Sequence, residues 1–136
     1  MRYQPYEDEY AAVPTMTDAE LLEYFLYRIF ETEEIWGVKE TAHQWLNHEY
    51  NGQFVQPLWP YKRYADEAAV DQWENFVPVA VSLEYFMEQT LNELVMNDVL
   101  IEIMPRKSAT GCLISPHRLY SILEGMMESS EYTLDG

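Results

Sequence analysis

Cysteine is almost absent from this chain. With Cys112 alone, no internal disulfide can form. It sits in the apolar run Gly111-Cys-Leu-Ile114 and reads as a small buried hydrophobe. A catalytic thiol would want a base and electropositive surroundings; His117 is near in sequence, but no further motif supports a Cys/His pair. Basic residues are scarce too, eight Lys and Arg against 24 Asp and Glu, for a net charge of −16. Such a surface repels nucleic-acid phosphates and anionic membranes, so neither is expected as a partner. No apolar stretch approaches the ~18 residues of a membrane span. Met1 to Val13 is polar and acidic without an apolar centre, so no secretory leader is expected and the chain is predicted to be cytoplasmic.

Motifs that carry chemistry are missing as well. There is no glycine-rich phosphate loop, no Gly-x-Ser-x-Gly elbow and no His-Glu-x-x-His. No His/Cys/carboxylate cluster has zinc-ligand spacing. His43 and His48 lie five apart on an expected strand, where alternation puts them on opposite faces, so they read as solvated or edge histidines. No catalytic residue, metal or cofactor is predicted, and the expectation leans away from an enzyme.

What is present is a globular composition. A chain of 136 residues with 48% apolar and 15% aromatic side chains is one ordinary domain with a core that needs no staples. The 11 Tyr and 4 Trp suit half-buried places where one end of a ring is dry and the other wet. A core rich in aromatics explains them most simply. A cleft or the interface of a homodimer would also use them.

Periodicity divides the chain. Residues 1–15 show no period and read as an arm, either frayed or laid over a globular domain at 16–128, with 129–136 as a polar tail. Thr17-Asp-Ala-Glu20 matches a capping box, and Leu21, Leu22, Phe25, Leu26, Ile29 and Phe30 follow at helical spacing to about Thr32. Strands are expected at Ile35–Lys39, Gln44–His48 and, past the Asn51-Gly52 hairpin signal, Gln53–Trp59. Pro57 has no N–H to donate, so this third strand should be at an edge or bulged there. A short helix over Tyr61–Val70 and a fourth strand at Phe76–Val81 follow. Ser82 caps a helix carrying Leu83, Phe86, Met87, Leu91, Leu94 and Val95. Strands at Val99–Met104 and Gly111–Ile114 precede a last helix opened by Ser115-Pro116. The expected fold is α+β, a mostly antiparallel or mixed sheet of five to six strands with helices packed on it, in the order α-β-β-β-α-β-α-β-β-α.

Several of these residues form a recognisable set. Phe30-Glu-Thr-Glu-Glu-Ile-Trp36, Pro57-Leu-Trp-Pro60 with Tyr64-Ala65 behind it, Trp73, and Pro78-Val-Ala-Val81 leading into Leu83 are similar to one family, as are Asp98 to Pro105 and Leu113 to Pro116. Over about residues 18–128 the chain resembles the bacterial domain-of-unknown-function family 2750 (DUF2750). In order of elements it has a fainter likeness to the amino-terminal domain of SseB-like proteins. The resemblance implies an α+β fold in the bacterial cytosol and transfers no catalytic or binding residue.

Charge layout supplies the functional lead. Residues 18–34 hold six acids and one Arg, and residues 71–104 hold seven acids and no base. Glu31, Glu33 and Glu34 gather where the first helix should end. They read as a solvated face or as a docking surface for a basic protein. Lys62-Arg63 and Arg106-Lys107 each follow a strand that ends in proline, and parallel strands would bring both pairs to one end of the sheet. The candidate ligand-binding residues are therefore Trp59, Tyr61, Lys62, Arg63, Tyr64, Arg106 and Lys107, a basic and aromatic spot for an anionic ligand or for the carboxylates of a second copy. Two function classes stay open. One is a non-enzymatic acidic interaction module, of inhibitor or immunity type, for a basic protein partner. The other is a small anionic-ligand binder or an enzyme without a recognisable motif.

Overall fold

The structure, a computed structural model, describes residues 5–41, 44–45, 48–50, 52–68, 76–106 and 110–128. Its amino-terminal stretch is laid over the domain. Glu7–Ala12 forms a short helix, α1, and Val13–Thr15 a 3₁₀ turn that buries Val13. Six residues make fewer than two turns and α1 buries none of them, so no apolar period marks it in the sequence.

Helix α2, Asp18–Thr32, begins where the capping box predicts: Thr17 Oγ1 accepts from Glu20 N–H at 3.2 Å and Glu20 Oε1 from Thr17 N–H at 2.9 Å. Its inner face buries Leu21, Phe25, Ile29 and Phe30. The helix stops at Glu33, which turns left-handed at φ 57° and lets the next strand begin at once. The Glu33 carbonyl, free of the helix, accepts from Leu83 N–H at 2.9 Å.

The strands form two sheets rather than one. β1, Glu34–Thr41, lies between β2, Gln44–Trp45, and β5, Val77–Ser82, in the order β2-β1-β5, all antiparallel. The second sheet is β3-β4-β6-β7: His48–Tyr50, Gln53–Leu58, Leu100–Ile103 and Cys112–Ile114. The segment expected as one strand at Gln44–His48 is thus divided, its start pairing in the first sheet and its end in the second. A two-residue turn with Gly52 at φ 80° closes β3 on β4, as the hairpin signal predicts. Among the described residues the β3 ladder reaches Val55. On its other side β4 pairs β6 without a bulge, with Pro57 opposite Glu102, so β4 is interior to the sheet rather than the edge or bulged strand that Pro57 suggested. Reciprocal 2.8 Å bonds between Trp36 and Trp59 join the two sheets.

Between β4 and β5 lies α3, Lys62–Ala68. After β5, Leu83–Tyr85, a π-helical turn at Phe86–Thr90 and Leu91–Met96 form one continuous helix, α4. The last helix, α5, spans Pro116–Glu128. A core of Phe25, Ile29, Ile35, Leu58, Trp59, Phe86, Ile101, Ile103, Leu119 and Leu123 joins α2, α4, α5 and both sheets. The fold is α+β, with the expected order of elements extended by α1 and by the divided second strand. No helix among the described residues is long and apolar enough to cross a membrane. Trp73, His43, the side chain of His48 and the tail at 129–136 lie outside the described residues.

Candidate functional site

The sequence points first to the end of the second sheet. β4 and β6 run parallel with Leu58 opposite Ile103, so Trp59-Pro60 and Met104-Pro105 leave side by side. Met104 N–H donates to the Leu58 carbonyl at 2.9 Å, and Trp59 Nε1–H to the Pro105 carbonyl at 3.2 Å. Lys62, Arg63 and Arg106 therefore start from one end of the sheet. Lys107 lies outside the described residues.

The side chains then turn inward. Trp59 and Tyr61 are each 1% exposed and Tyr64 is 7% exposed, so the rings expected to frame a ligand are core. Tyr64 and Tyr24 share a hydrogen bond between hydroxyls at 3.0 Å, and the Tyr24 hydroxyl donates to Glu9 at 3.0 Å. Burial pushes the Tyr64 hydroxyl up to about 12, and burial first, then the Tyr64 hydrogen bond, raises Tyr24 as well. The Tyr10 ring stacks on Tyr64 with centroids 5.9 Å apart, and its hydroxyl donates to Glu67.

The cations are engaged by the chain itself. Lys62 pairs with Asp66 one turn on, at 2.9 Å. Arg63 lies 3.6 Å over the Tyr10 ring and pairs with Glu7 at 3.4 Å and Glu67 at 3.6 Å. Arg106 Nη1 donates to the carbonyls of Val13, Pro14 and Met16 at 3.3, 3.3 and 3.1 Å, and Nη2 donates to that of Thr110. Positive charge in the first turn of a helix needs an anion beside it; here Glu7, Asp66 and Glu67 supply it. The arm occupies the place where an outside anion was expected.

A second place went unmarked in the sequence. α4 and α5 pack beside each other and leave an open groove of about 820 Å³ between them. Its α4 wall is Glu84, Met87, Glu88, Leu91, Asn92 and Val95, and its α5 wall Pro116, His117, Tyr120 and Met127. These α4 positions follow the i, i+3, i+4, i+7 rule of one helix face. The α4 apolar stripe is wider than the core requires: Leu83, Phe86, Leu91 and Leu94 are buried, while Met87 is half-buried and Val95 is 36% exposed. The surplus forms the floor of the groove. Glu84 and Glu88 stand exposed on its rim and make no ion pair among the described residues. The available signal was the interleaving of Glu84/Glu88 with Met87/Leu91/Val95, which marks a face that is neither plain core nor plain solvent.

The described residues hold no group of three or more His, Cys, Asp or Glu side chains suited to a metal ion. Cys112 is half-buried; burial first, then the Asp18 carboxylate, pushes its thiol up and away from the thiolate a nucleophile needs.

A family model described as a protein of unknown function (DUF2750) matches residues 22–123. No curated protein matches the chain.

Proposed function

The chain belongs to the DUF2750 family, and on that premise we propose that it is a non-enzymatic, acidic protein-interaction module of the bacterial cytoplasm, of inhibitor or immunity type, whose partner is a basic protein. One contrast supports this reading. Lys62, Arg63 and Arg106 are held by the protein's own carboxylates and carbonyls, whereas Glu84, Glu88 and Glu93 point to solvent without an ion pair among the described residues. The outward field is that of the acids, and such a field steers a basic partner toward contact. The test is native co-purification at low salt. Basic proteins should be retained in stoichiometric amount and released as the Debye length falls from about 10 Å at 0.1 M toward 3 Å at 1 M salt. Recovery of bound proteins without regard to their charge would overturn the reading, as would recovery of none.

A second reading, a small anion bound by Trp59, Tyr61, Lys62, Arg63, Tyr64, Arg106 and Lys107, draws support from the parallel pairing of β4 with β6. It requires the anion to displace Glu7 and Glu67 from Arg63. A thermal-shift screen with anionic metabolites tests it, since a ligand at 100 times its Kd adds about 2.7 kcal/mol. Absence of any shift removes the second reading and leaves the first.

A further inference from the structure

We propose that the groove between α4 and α5 receives a basic amphipathic helix of about three turns from a partner protein. This rests on the reading of the chain as an interaction module and gives that module its contact surface. The floor is apolar and open: Met87, Leu91 and Val95 line it from α4, and Tyr120, 40% exposed, lines it from α5. From Glu84 to Val95 the wall is twelve residues long, eleven rises of 1.5 Å or about 17 Å, the span of a three-turn helix. Both walls are helices whose backbone groups are spent internally, so an extended strand would find no ladder to join. A helix needs none and packs by side chains into such a trough.

Charge selects the sign of the occupant. Glu84 and Glu88 are one turn apart on the rim, and no Lys or Arg occurs anywhere between residues 71 and 104. On the α5 side the rim carries His117, with Arg118 exposed beside it in sequence. The partner's lysines and arginines therefore lie toward α4. A second copy of this chain, itself at −16, is repelled from the same rim. The π-helical turn Phe86–Thr90, closed by Leu91 N–H on the Phe86 carbonyl, includes two of the rim and floor positions. Such turns are rare and recur at functional sites.

The experiment uses the full chain at physiological salt and three labelled peptides of equal length. One is a Lys/Leu peptide with leucines at i, i+3, i+4 and i+7, the second its scramble of identical composition, and the third the Glu/Leu counterpart. The amphipathic basic peptide should bind at least tenfold more tightly than either of the others. E84K/E88K should weaken it at least tenfold and V95R by a similar factor. E23K/E93K, which changes net charge equally at exposed positions that do not line the groove, should leave it within about twofold. All substituted positions are on the surface, and circular dichroism and a thermal melt confirm that each variant is folded. Equal binding of the scramble, or equal losses from both charge-reversal pairs, overturns the groove while leaving a generally acidic interaction module standing. Failure of every peptide to bind also overturns the groove; the co-purification result then decides separately whether the module reading survives. A dimer in sedimentation that V95R dissociates would assign the groove to a second copy and overturn the proposal.

Discussion

Gly111 shows how much one residue can decide in this fold. A Cβ there would lie 2.2 Å from the Ile103 carbonyl oxygen, inside the β6–β7 connection, where backbone rather than a flexible side chain is in the way. Its N–H also donates to the buried Glu102 carboxylate at 2.9 Å. Gly111→Ala should destabilise the protein by about 1–3 kcal/mol or more, as overpacking does, and lower Tm by several degrees in a thermal melt. Arg106 does comparable service by tying the carbonyls of Val13, Pro14 and Met16 at the end of the arm to that of Thr110. Arg106→Ala should cost about 2 kcal/mol in denaturant unfolding, the scale of hydrogen bonds from a charged donor. It should also speed proteolysis within residues 7–16.

The tyrosines beneath the arm carry a pH dependence. Tyr64 is held protonated up to about 12, against about 10 for an unfolded phenol. A group whose folded pKa is raised contributes stability that is fully present below the unfolded value and is lost as pH rises toward the folded one. Stability should therefore fall between about pH 10 and 12, by up to roughly 2–3 kcal/mol for Tyr64. Denaturant melts across that window, followed with ultraviolet titration of the phenolates, check this; Tyr64→Phe should flatten the decline.

At the scale of elements, the helices longer than two turns were legible because caps and period agreed. Thr17 and Ser82 cap as read, the latter by accepting from Tyr85 N–H at 3.1 Å. Ser82→Ala should cost about 1 kcal/mol, measured by denaturant unfolding. α1 was illegible because it is too short to display a face, and because it is held by Arg63 and Tyr64, which lie far away in sequence. The division of Gln44–His48 between two sheets was illegible for a related reason: strand propensity is the same whichever ladder receives it. At α4, the sequence showed an apolar stripe but not its allocation. Leu83, Phe86 and Leu94 went to the core and Met87 and Val95 to the groove, according to where α5 lies.

At the scale of the whole molecule, charge governs the behaviour of everything outside the core. A net of −16 repels itself, and screening relieves that repulsion. Tm should rise as salt is raised from low ionic strength to about 0.15 M, where the Debye length is about 8 Å; a flat or falling series of thermal melts would contradict this. The pattern of the charge was plain from residues 18–34 and 71–104. Its consequence at the strand ends was not, because Lys62, Arg63 and Arg106 are neutralised or occupied by groups from α1, α3 and the 3₁₀ turn.

The sequence by itself determined the α+β class, the acidic character and most element boundaries, since propensity, capping and period are local and need no knowledge of neighbours. It also determined that both prolines ending the strands lead into basic residues. Only the tertiary structure decided that two of them, Arg63 and Arg106, point back at the protein's own arm. Only it left part of the α4 stripe uncovered. Ion pairing and burial depend on which distant groups arrive at a place, and that is settled by packing.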